Sequence, residues 1–277
     1  MVEQRTHNPQ VRGSNPCGPT LEMNEVKKIN IYGIEIAQTD IQSLIDYLTS
    51  FLNHTNDKGY ITVTGVHGII ESQKSKIVRN AHQNSLLSIP DGMPLVWYSK
   101  IKGSKQIKRC FGPEMMNDFF EKTKKQNFKH FFYGGNPGIA EQLKENFSNK
   151  FSANIVGTYC PPFRPLNELE KGELLHLLQK LKPDIIWIGL STPKQEIFMY
   201  ENIHNLECRL MFGVGAAFDY HTGNLKIASK FIQNIGLEWL FRLLLEPKRL
   251  YKRYFEIIPK FIYLVTMEFC KKILRKS

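Results

Sequence analysis

Apolar residues gather in short blocks along this chain, and the stretches between blocks repeat with a helical period. Tyr60–Thr64, Leu86–Pro90, His130–Tyr133, Ala153–Thr158, Asp184–Leu190 and Arg209–Gly213 have the length and side-chain types of buried strands. Ile29–Ile36 reads as a β hairpin, and Thr39-Asp40-Ile41-Gln42 as a capping box opening a helix to about Leu52. Helical spacing follows over Val66–Lys74, from Met93, from Gly112 to about Lys125, from Gly138 to Asn149 and over Leu166–Lys182. Strands separated by helices in this way predict βαβ units. The expected fold is α/β and Rossmann-like, a largely parallel sheet with helices on both faces, followed by a helical, basic C-terminal appendage. The expected organisation is a disordered tail over 1–24, an α/β domain over 25–240 and the appendage over 241–277.

The most informative block runs Ile185-Ile186-Trp187-Ile188-Gly189-Leu190-Ser191-Thr192-Pro193-Lys194-Gln195-Glu196. A strand buried on both faces, a small-residue turn, and Thr192-Pro193 as N-cap and first-turn proline predict a helix whose first turn carries Lys194, Gln195 and Glu196. Free N–H groups at that end would suit a nucleotide or sugar phosphate. In parallel sheets ligands bind beyond the carboxyl ends of strands. The polar residues there are Thr62, Thr64, Asp91, Asn136, Gln195 and Asp219.

Charge changes the picture at one end only. The net charge is +11, and Lys248–Ser277 holds nine Lys/Arg against Glu256 and Glu268, or +7 of it. Such a segment calls for an anionic partner, phosphate or acidic lipid. The apolar run Phe255–Leu274 is interrupted by Pro259, Lys260, Glu268 and Lys271, which suits a helix lying on an anionic membrane surface better than one crossing it. Five scattered cysteines without CxxC spacing fit a reducing cytoplasm, and no cleavable leader is evident. The polar stretch Asn8–Thr20 resembles peptides translated through the 3′ end of a transfer-RNA gene, which makes Met23 the expected start.

Several residues have both a chemical and a plain structural reading. Gly134-Gly135-Asn136-Pro137-Gly138 stands where a phosphate-cradling turn would be, yet it is not GxGxxG, and it would equally serve as a tight βα turn. Asp91 in Ile89-Pro90-Asp91-Gly92 can accept a proton from a hydroxyl or merely form the turn. Asp219 has the same ambiguity. His67 sits near a turn, where a histidine is a catalyst or a hydrogen-bonded structural residue. Arg242, Arg249 and Lys252/Arg253 recur at helical intervals across Pro247, which is expected to kink or restart the helix, and they suit bidentate phosphate recognition. No histidine spacing supports a metal site, and GxSxG and P-loop motifs are absent from the sequence.

Taken in order, Pro90-Asp91-Gly92, Gly134–Gly138, Gly157-Thr158, Gly189–Glu196, Gly213–Asp219 and Gly236–Arg242 resemble the WecG/TagA/CpsF family of bacterial glycosyltransferases. The resemblance runs from about Ile29 to Tyr254. It implies transfer of N-acetylmannosamine or a related hexose from a UDP-sugar to a polyprenyl-diphosphate-linked acceptor, in teichoic acid or exopolysaccharide synthesis, without metal or cofactor and with inversion. It makes Asp91 the general base and Gln195 a sugar-nucleotide contact. It gives Arg242, Arg249 and Lys252 or Arg253 the diphosphate charge, with Thr62, Thr64, His67, Gly134, Gly135 and Asn136 as further binding candidates. Thr62-Val63-Thr64-Gly65-Val66-His67 departs from the asparagine-containing motif of many members, so a different donor sugar remains open. The implied location is the inner face of the cell membrane, with a homo-oligomer open and no nucleic acid partner. Two alternatives stand beside this reading. A nucleotide-dependent oxidoreductase lacks the ribose-binding acid it would need, and a nucleic-acid-binding protein fits the apolar interleaving of the tail poorly.

Overall fold

The computed structural model describes residues 26–274. Its strands are β1 (Lys28–Ile31), β2 (Ile34–Ala37), β3 (Gly59–Thr64), β4 (Leu87–Pro90), β5 (His130–Gly134), β6 (Ile155–Tyr159), β7 (Ile185–Gly189) and β8 (Leu210–Gly213). They form one sheet in the order β1-β2-β4-β3-β8-β7-β5-β6, antiparallel only between β1 and β2. The first helices are α1 (Ile41–His54), α2 (Val66–Lys74), α3 (Lys76–Gln83), α4 (Met93–Ile101), α5 (Gly112–Thr123) and α6 (Ile139–Phe151). The rest are α7 (Glu168–Leu181), α8 (Lys194–Asn202), α9 (Ala217–His221), α10 (Lys230–Asn234), α11 (Glu238–Leu245) and α12 (Pro247–Leu274). The expected α/β class, with helices on both faces of a largely parallel sheet, is what forms.

Apolar runs explain the layers. One sheet face packs on α1, α5 and α6 through Leu44, Phe119, Phe120 and Phe147, and the other on α7 and α8 through Leu174, Leu178 and Met199. Trp187 in β7 is fully buried, stacked on Phe212 at 5.1 Å between centroids and on Phe120 at 5.3 Å. Its indole N–H donates to His130 Nδ1 at 3.1 Å. Burial pushes the His130 pKa down to about 3, so the ring is neutral and free to accept. Glycines set how closely β5 meets its neighbour β7, and β7 the helix layer. A Cβ on Gly134 would lie 2.9 Å from the Gly189 backbone, and one on Gly189 would lie 2.5 Å from the Phe218 ring.

A third cluster lies at the β1–β2 edge, where Ile257 and Phe261 of α12 pack with Ile31, Ile34 and Ile36. Polar ties fasten the same helix. Lys74 pairs with Glu256 at 2.7 Å, Lys102 with Glu268 at 2.9 Å, and the Tyr98 hydroxyl donates to Glu268.

Several local expectations are corrected. The N-cap of α1 is Asp40 rather than Thr39; its carboxylate accepts from Ser43 N–H at 2.9 Å and from Lys108. Thr192 does not cap α8, because its hydroxyl donates to Glu196 at 2.9 Å. The N–H groups of Lys194 and Gln195 both turn onto the Ser191 carbonyl, so that helix start is not the open anion site expected of it. Helices α3, α9 and α10 lie in segments assigned no helix, being only eight, five and five residues long. As expected, the helix restarts at Pro247, with α11 ending at Leu245, but α12 then runs unbroken through Pro259. Among the described residues no helix is long and apolar enough to cross a membrane. The expected tail over 1–24 and the Met23 start lie outside the described residues.

Candidate active site

Strand order decides where a ligand can sit. From β3 the sheet extends one way through β4, and from β8 the other way through β7 and β5, so the crevice opens between the carboxyl ends of β3 and β8. A cavity of about 590 Å³ lies there. Its floor comes from segments after β3, β4, β7 and β8, and its cover from α11 and α12. Of the expected site residues it gathers His67, Asp91, Gln195, Arg242, Arg249 and Arg253.

Asp91 follows β4 directly. Its N–H donates to the Thr64 carbonyl at 2.8 Å, and Cys110 N–H donates to the Pro90 carbonyl at 2.8 Å, which lays the next segment alongside and delivers Arg109. Arg109 Nε stands 3.8 Å from Asp91 Oδ1. That oxygen is enclosed and makes no hydrogen bond, while the side chain as a whole keeps 37% of its surface open. Burial raises the Asp91 pKa; Arg109 and Arg242 pull it down without cancelling the rise. A carboxylate held this way is a stronger base than one in water.

Arg109 itself is shared. Its guanidinium stacks 4.2 Å from the Phe111 ring centre, donates to Gln233 at 3.3 Å and pairs with Glu238 of α11. Burial raises the Glu238 pKa, Arg109 opposes, and the nearby Asp91 charge adds to the rise. Two carboxylates therefore flank one guanidinium, which ties the floor of the site to its cover.

The cover supplies the cations. Arg242 lies 5.8 Å from the Tyr220 ring and 3.6 Å from Glu246, which also pairs with Arg249. Arg253 makes no ion pair among the described residues, and its pKa is lowered by burial and by Arg249 and Arg242. Three guanidiniums that repel one another around a cavity favour an anionic ligand. His67 stays neutral, its pKa pushed down to about 4 by burial and by Arg253. Asp219 faces the same cations but does not line the cavity; its pKa is raised by burial against the pull of Arg249. Among the described residues no group of three or more His, Cys, Asp or Glu is arranged to hold a metal ion.

Other expected residues are not brought in. Thr62 and Thr64 share a strand face opposite Val63, and it is Val63 that meets the cavity. Their hydroxyls close a buried network with Ser88 (2.7 Å from Thr62) and His82 (3.2 Å from Thr62). Thr64 serves the site through its carbonyl instead. Gly134 ends β5 and Gly135 and Asn136 follow it; β7 separates that strand from β8, and none of the three lines the cavity. Their glycines answer to packing, a Cβ on Gly135 falling 3.0 Å from Ile139. Lys252 is exposed and outside it. Sequence reasoning missed Arg109, whose segment has no periodicity to mark it. It also missed Glu238, which was visible only as part of Gly236–Arg242.

A doubly wound sheet with a basic-lidded, carboxylate-bearing cavity at its switch point is the arrangement of an α/β enzyme. The chain belongs to the glycosyl transferase WecG/TagA/CpsF family, whose sequence profile matches residues 29–275. It is a glycosyltransferase of cell-surface polysaccharide or teichoic acid synthesis, which sets aside the oxidoreductase alternative.

Proposed function

We propose that the chain transfers N-acetylmannosamine or a related hexose from a UDP-sugar to a polyprenyl-diphosphate-linked sugar, with inversion and without a metal. The observation that carries this reading is Asp91 on the cavity wall, with a raised pKa, facing a cover of arginines. Asp91 takes the proton from the acceptor hydroxyl, whose oxygen attacks the anomeric carbon as the bond to the UDP phosphate breaks. Arg242, Arg249 and Arg253 stabilise the charge that grows on the departing diphosphate. Arg109 holds Asp91 ionised and oriented. The apolar arm of the cavity, between α4 and α12, is lined by Trp97, Ile101, Ile257, Phe261 and Val265 and is suited to the first isoprene units of the acceptor. Exposed Phe231, Leu244, Phe255 and Ile262, set among basic residues, support seating of the C-terminal helices on an anionic bilayer.

The test is incubation with a panel of UDP-sugars and a lipid-diphosphate-N-acetylglucosamine acceptor. UDP release that needs both substrates and is lost in Asp91→Asn is expected. Release without acceptor at the same rate, or turnover unchanged in Asp91→Asn, overturns the mechanism.

A further inference from the structure

Two atoms of opposite charge face each other in the floor of the site, and neither is bonded. Asp91 Oδ1 and Arg109 Nε are both enclosed, both lack a hydrogen-bond partner, and stand 3.8 Å apart. A bond between guanidinium and carboxylate closes to about 2.7–2.9 Å, and leaving both groups unpaired costs free energy, so something holds them apart. Three contacts fix the guanidinium. Its face lies 4.2 Å from the Phe111 ring centre. Nη1 donates to Gln233 Oε1 at 3.3 Å, and buried Gln233 is itself set by donating Nε2 to the Ala228 carbonyl at 2.7 Å. Nη2 pairs with Glu238 Oε2. The last contact matters most, because Nε and Nη2 form the edge of a guanidinium that binds a carboxylate through two parallel bonds. Two carboxylates contend for that edge; Glu238 holds Nη2, and Asp91 is left opposite Nε at a distance. Glu238 stands in the first turn of α11, where the helix dipole favours a negative side chain.

We propose that Glu238 is a positioning residue for Asp91: by occupying Nη2 it keeps Arg109 from closing its two-pronged edge on the Asp91 carboxylate, which stays a strong base. This rests on the reading of Asp91 as the general base. Without Glu238 the edge is free to close, and an arginine doubly bonded to a carboxylate stabilises its charged form and makes it a poorer proton acceptor. No other neighbour does this. Against the rise from burial, Arg242 of α11 pulls the Asp91 pKa down as Arg109 does, and a bond from Gly92 N–H adds to that pull. Tyr220 of α9 and Cys110 are pushed up to about 12, chiefly by burial with the Asp91 charge adding, so both stay neutral. Glu238 is raised by burial and by Asp91 against Arg109 and Arg242, and its charge is felt by Tyr220 and Tyr254.

Two measurements separate this inference from the reading it rests on. The Asp91 carboxyl-carbon resonance is followed through a pH titration of ligand-free, full-length protein by nuclear magnetic resonance, with Asp91→Asn giving the assignment. Glu238→Met removes both charge and acceptor, whereas Glu238→Gln removes the charge and keeps an acceptor oxygen for Nη2. The proton affinity of Asp91 is expected to fall in both, and at least about tenfold further in Glu238→Met, where Arg109 can close. Equal falls reduce Glu238 to a distant charge and overturn the proposal, as does no fall in Glu238→Met. Should Glu238→Met fail to fold, Glu238→Asp asks the same question, since it keeps the charge and shortens the reach. A fall is expected there too, and an unchanged Asp91 titration overturns the hold.

The second readout is the pH profile of turnover. In Glu238→Met the acid limb of kcat/KM should move down with the Asp91 titration. Its plateau kcat should fall roughly three- to tenfold with little change in KM for the UDP-sugar, and Glu238→Gln should recover most of it. An Asp91 titration that shifts as expected, with limb and plateau unmoved, keeps the hold and defeats the general-base reading. A limb that follows Asp91 in the wild type, with no variant altering the Asp91 titration, keeps the base and defeats the hold.

Discussion

At the scale of single residues the site turns on Asp91, where burial and two arginines pull the proton affinity in opposite directions. Because burial prevails, Asp91 titrates above its ordinary value of 3.8. A general base must be ionised, so kcat/KM is expected to fall as pH drops through that raised value, with the acid limb of the profile above the usual carboxylate range. Arg109→Ala removes a cation that favours the charged form and should move the limb to higher pH. A limb that stays in place or moves down would show that Arg109 does not face Asp91 in the working enzyme. Asp91→Asn should cost about 100- to 10,000-fold in kcat, with donor affinity nearly unchanged in a UDP-sugar titration. The sequence exposed Asp91 because a carboxylate after a strand is conspicuous. It hid Arg109, because the bond from Cys110 N–H to the Pro90 carbonyl joins two segments that nothing in local patterning links.

Among elements, the cover matters most. The turn from α10 to α11 passes Gly236 at φ +71°, and a Cβ there would fall 2.3 Å from the Trp97 ring of α4. Gly236→Ala therefore combines a left-handed backbone with a ring that must move. A loss of roughly 1–3 kcal/mol is expected, read as a lower thermal midpoint, together with a fall in kcat as Arg242 is displaced. An unchanged midpoint and kcat would mean the turn tolerates the shift. Arg253, whose pKa is lowered by burial and its two arginine neighbours, should be the one whose replacement by alanine spares folding while costing on the order of 100-fold in kcat. Single-turnover measurement at saturating donor separates that from weaker binding. Both C-terminal helices were legible in the sequence through their cationic interval and Pro247. The continuity of α12 past Pro259 was not, because packing of Ile257 and Phe261 on the sheet edge outweighs the local cost of a proline.

For the whole molecule, the concentration of positive charge at one end, beside exposed apolar side chains, sets an expectation about surfaces. Full-length protein should sediment with anionic vesicles at low salt and be released as salt rises, since screening shortens the reach of surface charge. Leu244→Ser with Phe231→Ser should weaken sedimentation while leaving turnover of a short-chain soluble acceptor intact; equal sedimentation would place the bilayer contact elsewhere. Alternating apolar runs and helical stretches determined by themselves that the chain is α/β with a largely parallel sheet, since burying a strand on both faces demands unbroken apolar sequence. They also brought the strand-end candidates into view, the block from Ile185 to Glu196 among them. Which strand ends share one cavity was decided only in three dimensions. Strand order arises from packing between distant segments, and it set β3, β4, β7 and β8 around the crevice while leaving Gly134, Gly135 and Asn136 beyond it. The pleat then turned Thr62 and Thr64 into a buried network, and the Gly213 carbonyl, arriving from β8, joins Glu196 in accepting from the Gln195 amide.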